Sequence, residues 1–224
     1  MKTILPTLTL LLAAVAPVQA ITLRVLAWND TVAEREFVVT HGKTSMEVGY
    51  LHPAARSQPL TLPGDVADLR LVASDRTNAE GKPLAMPLKL PTGIKKPLLL
   101  LLPDTKSTLG VRPHIIEDDE SSFRWGTIHL INVSKESLVF RWDNQARAMP
   151  PGWKPVTAAP GGKSRNMEVL LYRKDDLKNP IYSSVWEHRN DMRQLVFVVP
   201  SSDAATGPFE FKFIPETLLP DEGE

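Results

Sequence analysis

The run Leu98-Leu99-Leu100-Leu101-Leu102-Pro103 is followed 97 residues later by the similar run Leu195-Val196-Phe197-Val198-Val199-Pro200. Leucine favours helix, so a helical interpretation of the first run has to be weighed. Pro97 and Pro103 leave only five residues between them, which is too few for a helix of ordinary length. The second run is rich in β-branched and aromatic residues, which favour strands. Both runs are therefore predicted to be central strands buried on both faces, where continuous apolar stretches occur.

Further blocks of similar sequence occur in the same order in the two halves of the chain, and this order predicts an internal duplication. Apolar strands also resemble one another by composition alone, so coincidence is the alternative. The matching pairs are Pro59–Gly64 with Pro155–Gly161, ending at an offset of 97, Leu69–Val72 with Glu168–Leu171 at an offset of 99, and Thr22–Leu26 with Ile128–Asn132 at a larger offset.

Each copy consists of short apolar runs bounded by Pro, Gly, Asn or Asp, the pattern of a β-sandwich. The predicted strands of the first copy are Ile21–Trp28, Glu36–Thr40, Pro59–Leu62, Asp68–Ala73, Leu84–Leu90 and Leu98–Leu102. Those of the second copy are Phe123–Val133, Leu138–Trp142, Val156–Ala158, Asn166–Tyr172, Ile181–Glu187, Gln194–Val199 and Pro208–Ile214. The predicted fold class is all-β, with two tandem immunoglobulin-like β-sandwich domains at residues 21–104 and 123–216, an acidic linker at 105–122 and an acidic tail at 217–224.

The first twenty residues have the layout of a secretory signal peptide. Lys2 precedes an apolar stretch from Ile4 to Val18, and Ala20 ends a small-residue cleavage pattern. The alternative is a membrane anchor, but Pro6 interrupts the stretch, which is shorter than the roughly 20 residues of a span. We therefore expect residues 1–20 to be removed, leaving a periplasmic or extracellular protein without stable membrane insertion.

Composition excludes several chemistries. The 224 residues include no cysteine, which excludes disulfides, thiolate metal sites and a cysteine nucleophile, and an exported protein without disulfides fits a bacterial envelope best. Removing Lys2 leaves 25 basic against 26 acidic residues, a charge of −1, so no nucleic-acid partner is expected. The acidic run Glu117–Glu120 lacks the alternation of a calcium loop and is predicted to be solvated.

Local motifs point to turns and not to cofactors. His41-Gly42-Lys43-Thr44 resembles the end of a phosphate-binding loop, but the position of the earlier glycine is Phe37, so a hairpin turn is predicted. The five histidines are at least eleven residues apart, which does not favour a metal site. No cofactor, metal or catalytic residue is predicted.

The aromatic residues of the second copy are the candidate ligand-binding residues. On the strand ending at His188, alternation places Tyr182, Trp186 and His188 on one face. If that face points outward, it forms an aromatic row suited to stacking on sugar rings. Alternatively, Trp186 packs over the sandwich edge or against the first domain. Trp153, in a proline-rich loop, is a second candidate, whereas Trp142 is predicted to be in the core.

The segments Ile128–Ser134, Tyr182–Trp186 and Leu195–Pro200, with the turns Pro151-Gly152 and Pro160-Gly161, resemble an uncharacterised group of bacterial exported proteins built from tandem β-sandwich repeats. The resemblance covers residues 123–216 best. It implies fold and compartment and adds no catalytic residue.

Three functions follow as expectations. The first is a non-catalytic exported interaction or structural module of the bacterial envelope, with an envelope protein or glycan as its partner. The second is carbohydrate binding through Tyr182, Trp186 and Trp153. The third is an envelope hydrolase, in which a cleft between the domains would gather side chains from separate strands. The side chains considered for that cleft are His129, His188, Asp143 and Glu187.

Overall fold

The computed structural model describes residues 20–63, 66–203, 205 and 207–218, which form two β-sandwiches. The strands of the first sandwich are β1 (Ile21–Ala27), β2 (Phe37–His41), β3 (Thr44–Glu47), β4 (Leu60–Leu62), β5 (Leu69–Thr77), β6 (Pro83–Pro87), β7 (Pro97–Pro103) and β8 (Val111–Glu117). Those of the second are β9 (Ile128–Asn132), β10 (Leu138–Trp142), β11 (Gln145–Met149), β12 (Val156–Ala158), β13 (Arg165–Arg173), β14 (Tyr182–His188), β15 (Met192–Pro200) and β16 (Phe209–Thr217). A short helix, α1 (Asp30–Ala33), follows β1 and is capped by the side chain of Asn29.

The two sandwiches have the same topology, strand for strand. The first contains the sheets β4-β1-β7-β8 and β3-β2-β5-β6, and the second contains β12-β9-β15-β16 and β11-β10-β13-β14. In both, the first strand pairs in parallel with the seventh, and the other neighbouring strands are antiparallel. The all-β sandwich fold is thus confirmed, and the shared topology agrees with the predicted duplication.

The sequence alignment of two strand pairs was wrong by one residue. Leu69 and Leu71 of β5 pair with His41 and Val39 of β2, and the residues that hold the same places in β13 are Val169 and Leu171, at an offset of 100 and not 99. Likewise the alignment placed Leu23, which enters the first core, on His129, whereas the β9 residues that enter the second core are Ile128 and Leu130. Side chains alternate along a strand, so a shift of one residue exchanges the buried face for the other.

The central strands β7 and β15 are buried on both faces, as predicted. Leu99 and Leu101 enter the core of the first sandwich, whereas the other leucines of β7 point the opposite way. On β15, Val196 points into its own sandwich and Phe197 points away from it. The outward residues of both strands form a third apolar cluster between the sandwiches, namely Leu26, Leu98, Leu100, Leu102, Ile116, Phe123, Ile131, Leu195, Phe197 and Ile214.

The predicted acidic linker at 105–122 was wrong in its extent. Residues 111–117 form β8, which pairs with β7 along its whole length and buries Val111 and Ile116. Asp118, expected in solvent, is 1% exposed. Pro113 and the charged flanks of β8 concealed this edge strand in the sequence, because its apolar residues do not alternate regularly.

Other local predictions have separate outcomes. The segment around Gly42 is a hairpin turn between β2 and β3, with Gly42 at φ 56°, as predicted. The strands β3 and β11 were missed because they are short and polar. The predicted signal peptide, up to residue 19, and residues 219–224 of the predicted tail lie outside the described residues, while Thr217 ends β16. Within the described ranges, no helix is long and apolar enough to cross a membrane.

Candidate functional site

The conditional aromatic row on β14 does not form, because that face of the strand points inward and Trp186 packs against its own sandwich, in line with the alternative. Trp186 is 6% exposed and His188 is 3% exposed, while Ser183, Val185 and Glu187 point to solvent. The Trp186 Nε1–H donates a hydrogen bond to the Tyr182 hydroxyl at 3.0 Å. We call the group around them the aromatic edge cluster, which consists of Phe140, Tyr182, Trp186, Phe211 and Phe213. Trp142 is in the core, as predicted.

Trp153 is also not a free binding platform. It is half-buried against the apolar cluster between the sandwiches, with its ring 6.2 Å from that of Trp28 and 4.7 Å from that of His114. Burial lowers the pKa of His114, with a further contribution from Arg112. Trp153 therefore helps to join the two sandwiches.

The side chains considered for a hydrolase cleft lie in two separate environments. His129 on β9 stacks on Phe123 at 3.9 Å, and its charged neighbours are Asp118, Arg193 and Arg56. Burial lowers the pKa of His129 to about 4, so it is neutral at pH 7.

The other three residues, Asp143, Glu187 and His188, belong to the sheet β11-β10-β13-β14 of the second sandwich or to its turns. Asp143 pairs with Arg165 at 2.6 Å, and both influence His188, whose pKa is lowered mainly by burial. Glu187 points to solvent, away from His188. The four side chains therefore do not form one constellation, and no group of three or more metal-ligating side chains occurs among the described residues.

A network of charged side chains does join the two sandwiches. We call it the interdomain clamp, and its members are Arg24, Arg56, Asp118, Arg193 and Glu216. Arg56 donates to both oxygens of Asp118, from Nε at 2.9 Å and from Nη2 at 2.8 Å. Arg24 donates from Nη2 to Asp118 Oδ2 at 2.6 Å and, across the boundary between the sandwiches, from Nη1 to Glu216 Oε1. Each carboxylate thus holds guanidinium groups from more than one strand.

Arg193 of β15 is the most buried cation of the clamp, with its side chain 1% exposed. Its Nε and Nη2 donate to Glu216 Oε2 at 2.8 and 2.7 Å, and its Nη1 donates to the backbone carbonyls of Asp118 and Phe123. Its guanidinium also lies 5.0 Å from the rings of both Phe123 and Trp125. These contacts fix the segment between β8 and β9 against the second sandwich.

The clamp contains three guanidinium groups and two carboxylates. Burial alone would raise the pKa of Glu216, but the hydrogen bond from Arg24 and the charges of the three arginines outweigh it and lower that pKa to about 2. Burial also opposes the charge of Arg24, yet its hydrogen bond to Glu216 and the charge of Asp118 raise its pKa. The three guanidiniums therefore exceed the two carboxylates by one formal positive charge.

A groove of about 430 Å³ lies over the clamp, at the junction of the sandwiches. Arg24, Arg56 and Glu216 line it together with Thr22, Ser57 and Gln58. At its rim, Lys96 and Glu120 form an exposed pair at 2.9 Å, which is neutral as a unit. The excess positive charge therefore comes from the arginines of the clamp, of which Arg24 and Arg56 line the groove.

The groove was missed in the sequence because its residues come from β1, the loop before β4, the segment after β8, and β16. One signal was present. Arg24 lies within the predicted strand Ile21–Trp28, and Arg193 directly precedes the predicted buried strand Gln194–Val199. A charge beside residues predicted to be buried requires a partner. No protein-family model matches the chain, and no curated protein matches it significantly.

Proposed function

We propose that this protein is a non-catalytic exported interaction module of the bacterial cell envelope, whose two immunoglobulin-like sandwiches act as one rigid body. In this proposal, the groove over the interdomain clamp binds an anionic group of an envelope partner. The proposal rests on one observation, the buried group of three guanidiniums and two carboxylates that opens into a groove between two fixed domains.

The rigidity follows from how the domains meet. The apolar cluster between the sandwiches covers the outward faces of β7 and β15, whose other faces lie in their own cores. Above it, Arg24 and Arg56 of the first sandwich contact Glu216 of the second, while Arg193 of the second contacts Asp118. Ion pairs with several hydrogen bonds restrict orientation more than apolar contact does. A partner that binds at the junction would therefore meet a fixed surface.

The charge balance favours an anionic ligand. A buried cation without a counter-charge is costly, and an anion in the groove offsets that cost. Guanidinium groups match the geometry of carboxylate and phosphate oxygens, and Thr22 supplies a hydroxyl in the lining of the groove. Carbohydrate binding by a flat aromatic row is not part of this proposal, because Trp186 is buried.

Titration of the purified protein with inorganic phosphate, sulfate and an acetylated glutamate, followed by calorimetry, tests the groove. We expect at least one of these anions to bind, and Arg24→Gln or Lys96→Gln to weaken binding by about tenfold, the equivalent of 1.4 kcal/mol. Lys82→Gln, on the exposed pair with Glu80 in the first sandwich, is the matched control and should leave binding unchanged.

Lys96→Gln is included as the variant that is expected to fold normally, because Lys96 lies at the exposed rim of the groove and outside the clamp. Circular dichroism should show both variants folded. Absence of binding for all three anions, or equal affinity in both groove variants and the control, would contradict the proposed site.

A further inference from the structure

The equivalent edge strands β6 and β14 of the two sandwiches differ in proline content and in the regularity of their pairing. In the first sandwich, β6 begins at Pro83 and ends at Pro87, and its pairing with β5 is irregular. In the second sandwich the equivalent strand, β14, has seven residues, no proline, and regular pairing with β13 along its whole length. Proline and irregular pairing are the usual means of blocking the free edge of a sheet. That protection is present at β6 and missing at β14.

The other edge strand on this side of each sandwich is blocked in both copies. β8 contains Pro113 and β16 contains Pro215. On the opposite side, β4 and β12 have only three residues each. β14 is therefore the longest edge strand without proline in the described part of the chain.

Exposed apolar side chains gather around β14. Five large apolar side chains are exposed among the described residues, and four of them are near this strand, namely Leu177, Val185, Phe213 and Leu218. Val185 lies at its centre and is 63% exposed. Leu177 lies in the connection from β13, and Leu218 donates its N–H to the carbonyl of Asp191, just beyond the other end of β14.

Phe213, on β16 of the other sheet of the same sandwich, is the fourth of these exposed apolar residues. It is 37% exposed, and its ring lies 4.9 Å from that of Trp186 in the aromatic edge cluster. An apolar line beside an unpaired strand edge is typical of a protein contact surface.

From this arrangement we propose that a second copy of this chain docks on β14, so that two β14 strands pair antiparallel and the outer sheets of two second sandwiches become continuous. The strand is self-complementary when the pairing is centred on Val185. Val185 then faces its own copy, Ser183 faces Glu187, Ser184 faces Trp186 and Tyr182 faces His188. Like charges never face each other in this register, and the exposed valine is covered. A two-fold axis through the centre gives a closed dimer.

A single cysteine at position 185 tests the register directly, because the chain contains no other cysteine. Directly opposed residues in an antiparallel pair have Cα atoms about 4.5–5.5 Å apart. That spacing is within the range of a disulfide. Under mild oxidation, Val185→Cys should form a covalent dimer in high yield. Ala146→Cys, on the exposed β11 edge of the same sheet, is the matched control and should form little.

Charged substitutions at position 185 test whether the protein forms the non-covalent dimer. Sedimentation equilibrium should show a dimer of the unmodified protein. Val185→Lys should raise the dimer dissociation constant at least tenfold, since two lysines then face each other. Mixing Val185→Lys with Val185→Glu should restore dimers, and Ala146→Lys should not weaken them. The variants are expected to fold because the side chain of Val185 is exposed.

A monomer at all concentrations, or a dimer unaffected by Val185→Lys, would overturn the proposal. If the protein is monomeric but an extended peptide protects β14 from hydrogen exchange, then a partner strand and not a second copy occupies the edge, which also overturns it. The proposal does not depend on the groove, because the anion titration and the dimer assay report on different sites.

Discussion

Glu216 shows how one residue can depend on charges from both sandwiches. It accepts hydrogen bonds from Arg24 of β1 and Arg193 of β15. Its pKa is lowered to about 2 from an ordinary value of 4.5. A carboxylate whose pKa is lower in the folded protein stabilises the fold above its unfolded pKa, and the stabilisation is lost as pH falls toward the folded pKa.

We therefore predict that the free energy of unfolding falls between about pH 4.5 and pH 2 partly through Glu216. Glu216→Gln should reduce that fall, as measured by urea unfolding at several pH values. Asp191→Asn, which removes an exposed pair with Arg189, is the control and should reduce it less. An unchanged pH profile in Glu216→Gln would show that the clamp does not hold this carboxylate ionised.

At the scale of elements, the doubly buried strands distinguish this protein from a simple pair of sandwiches. In a sheet with one solvated face, alternate residues of β7 would tolerate truncation. Here Leu99 is in the first core and Leu100 is in the cluster between the sandwiches, and both are 0% exposed. The two faces of the strand should therefore contribute similarly to stability.

We predict that Leu99→Ala and Leu100→Ala each cost about 2–5 kcal/mol of unfolding free energy, because each leaves a cavity in a packed cluster. Leu177→Ala, at an exposed position of the β13–β14 connection, should cost far less. Urea unfolding measures all three. A small effect for Leu100→Ala alone would mean that the two sandwiches separate in solution.

The elements also show the limits of prediction from sequence. The five-leucine run, the core face of β10 and the hairpin turn at Gly42 followed from local pattern, because proline, alternation and glycine act within a few residues. β8 did not, since its residues resemble a loop until the edge of β7 supplies its hydrogen bonds. The inward direction of Trp186 was also beyond local pattern, because alternation gives two faces and only packing selects one.

At the scale of the whole molecule, two sandwiches share one apolar cluster and one ion-pair network. Asp118 is central to the network, since its side chain receives hydrogen bonds from Arg24 and Arg56 while its backbone carbonyl receives one from Arg193. Removing one partner of a buried charged group leaves the others without compensation.

We predict that the protein unfolds in one cooperative transition, with far-ultraviolet circular dichroism and tryptophan fluorescence changing together. Asp118→Asn should lower the unfolding free energy by about 3–5 kcal/mol, because three guanidiniums then share one carboxylate. Glu80→Gln is the surface control and should have little effect. Two separate transitions in the unmodified protein would contradict the coupling.

The sequence by itself determined the all-β class, the order of most strands, the two-copy pattern and the buried strands β7 and β15. These features depend on the alternation of apolar residues and on the spacing of proline and glycine. Both act within a few residues and do not require contacts with distant parts of the chain. Only the tertiary structure decided that Asp118 is buried, that Trp186 faces inward, and that five charged residues from distant segments meet over an apolar interface. Those outcomes depend on contacts between residues up to 192 positions apart, and packing selects among faces and partners that the local pattern leaves equivalent.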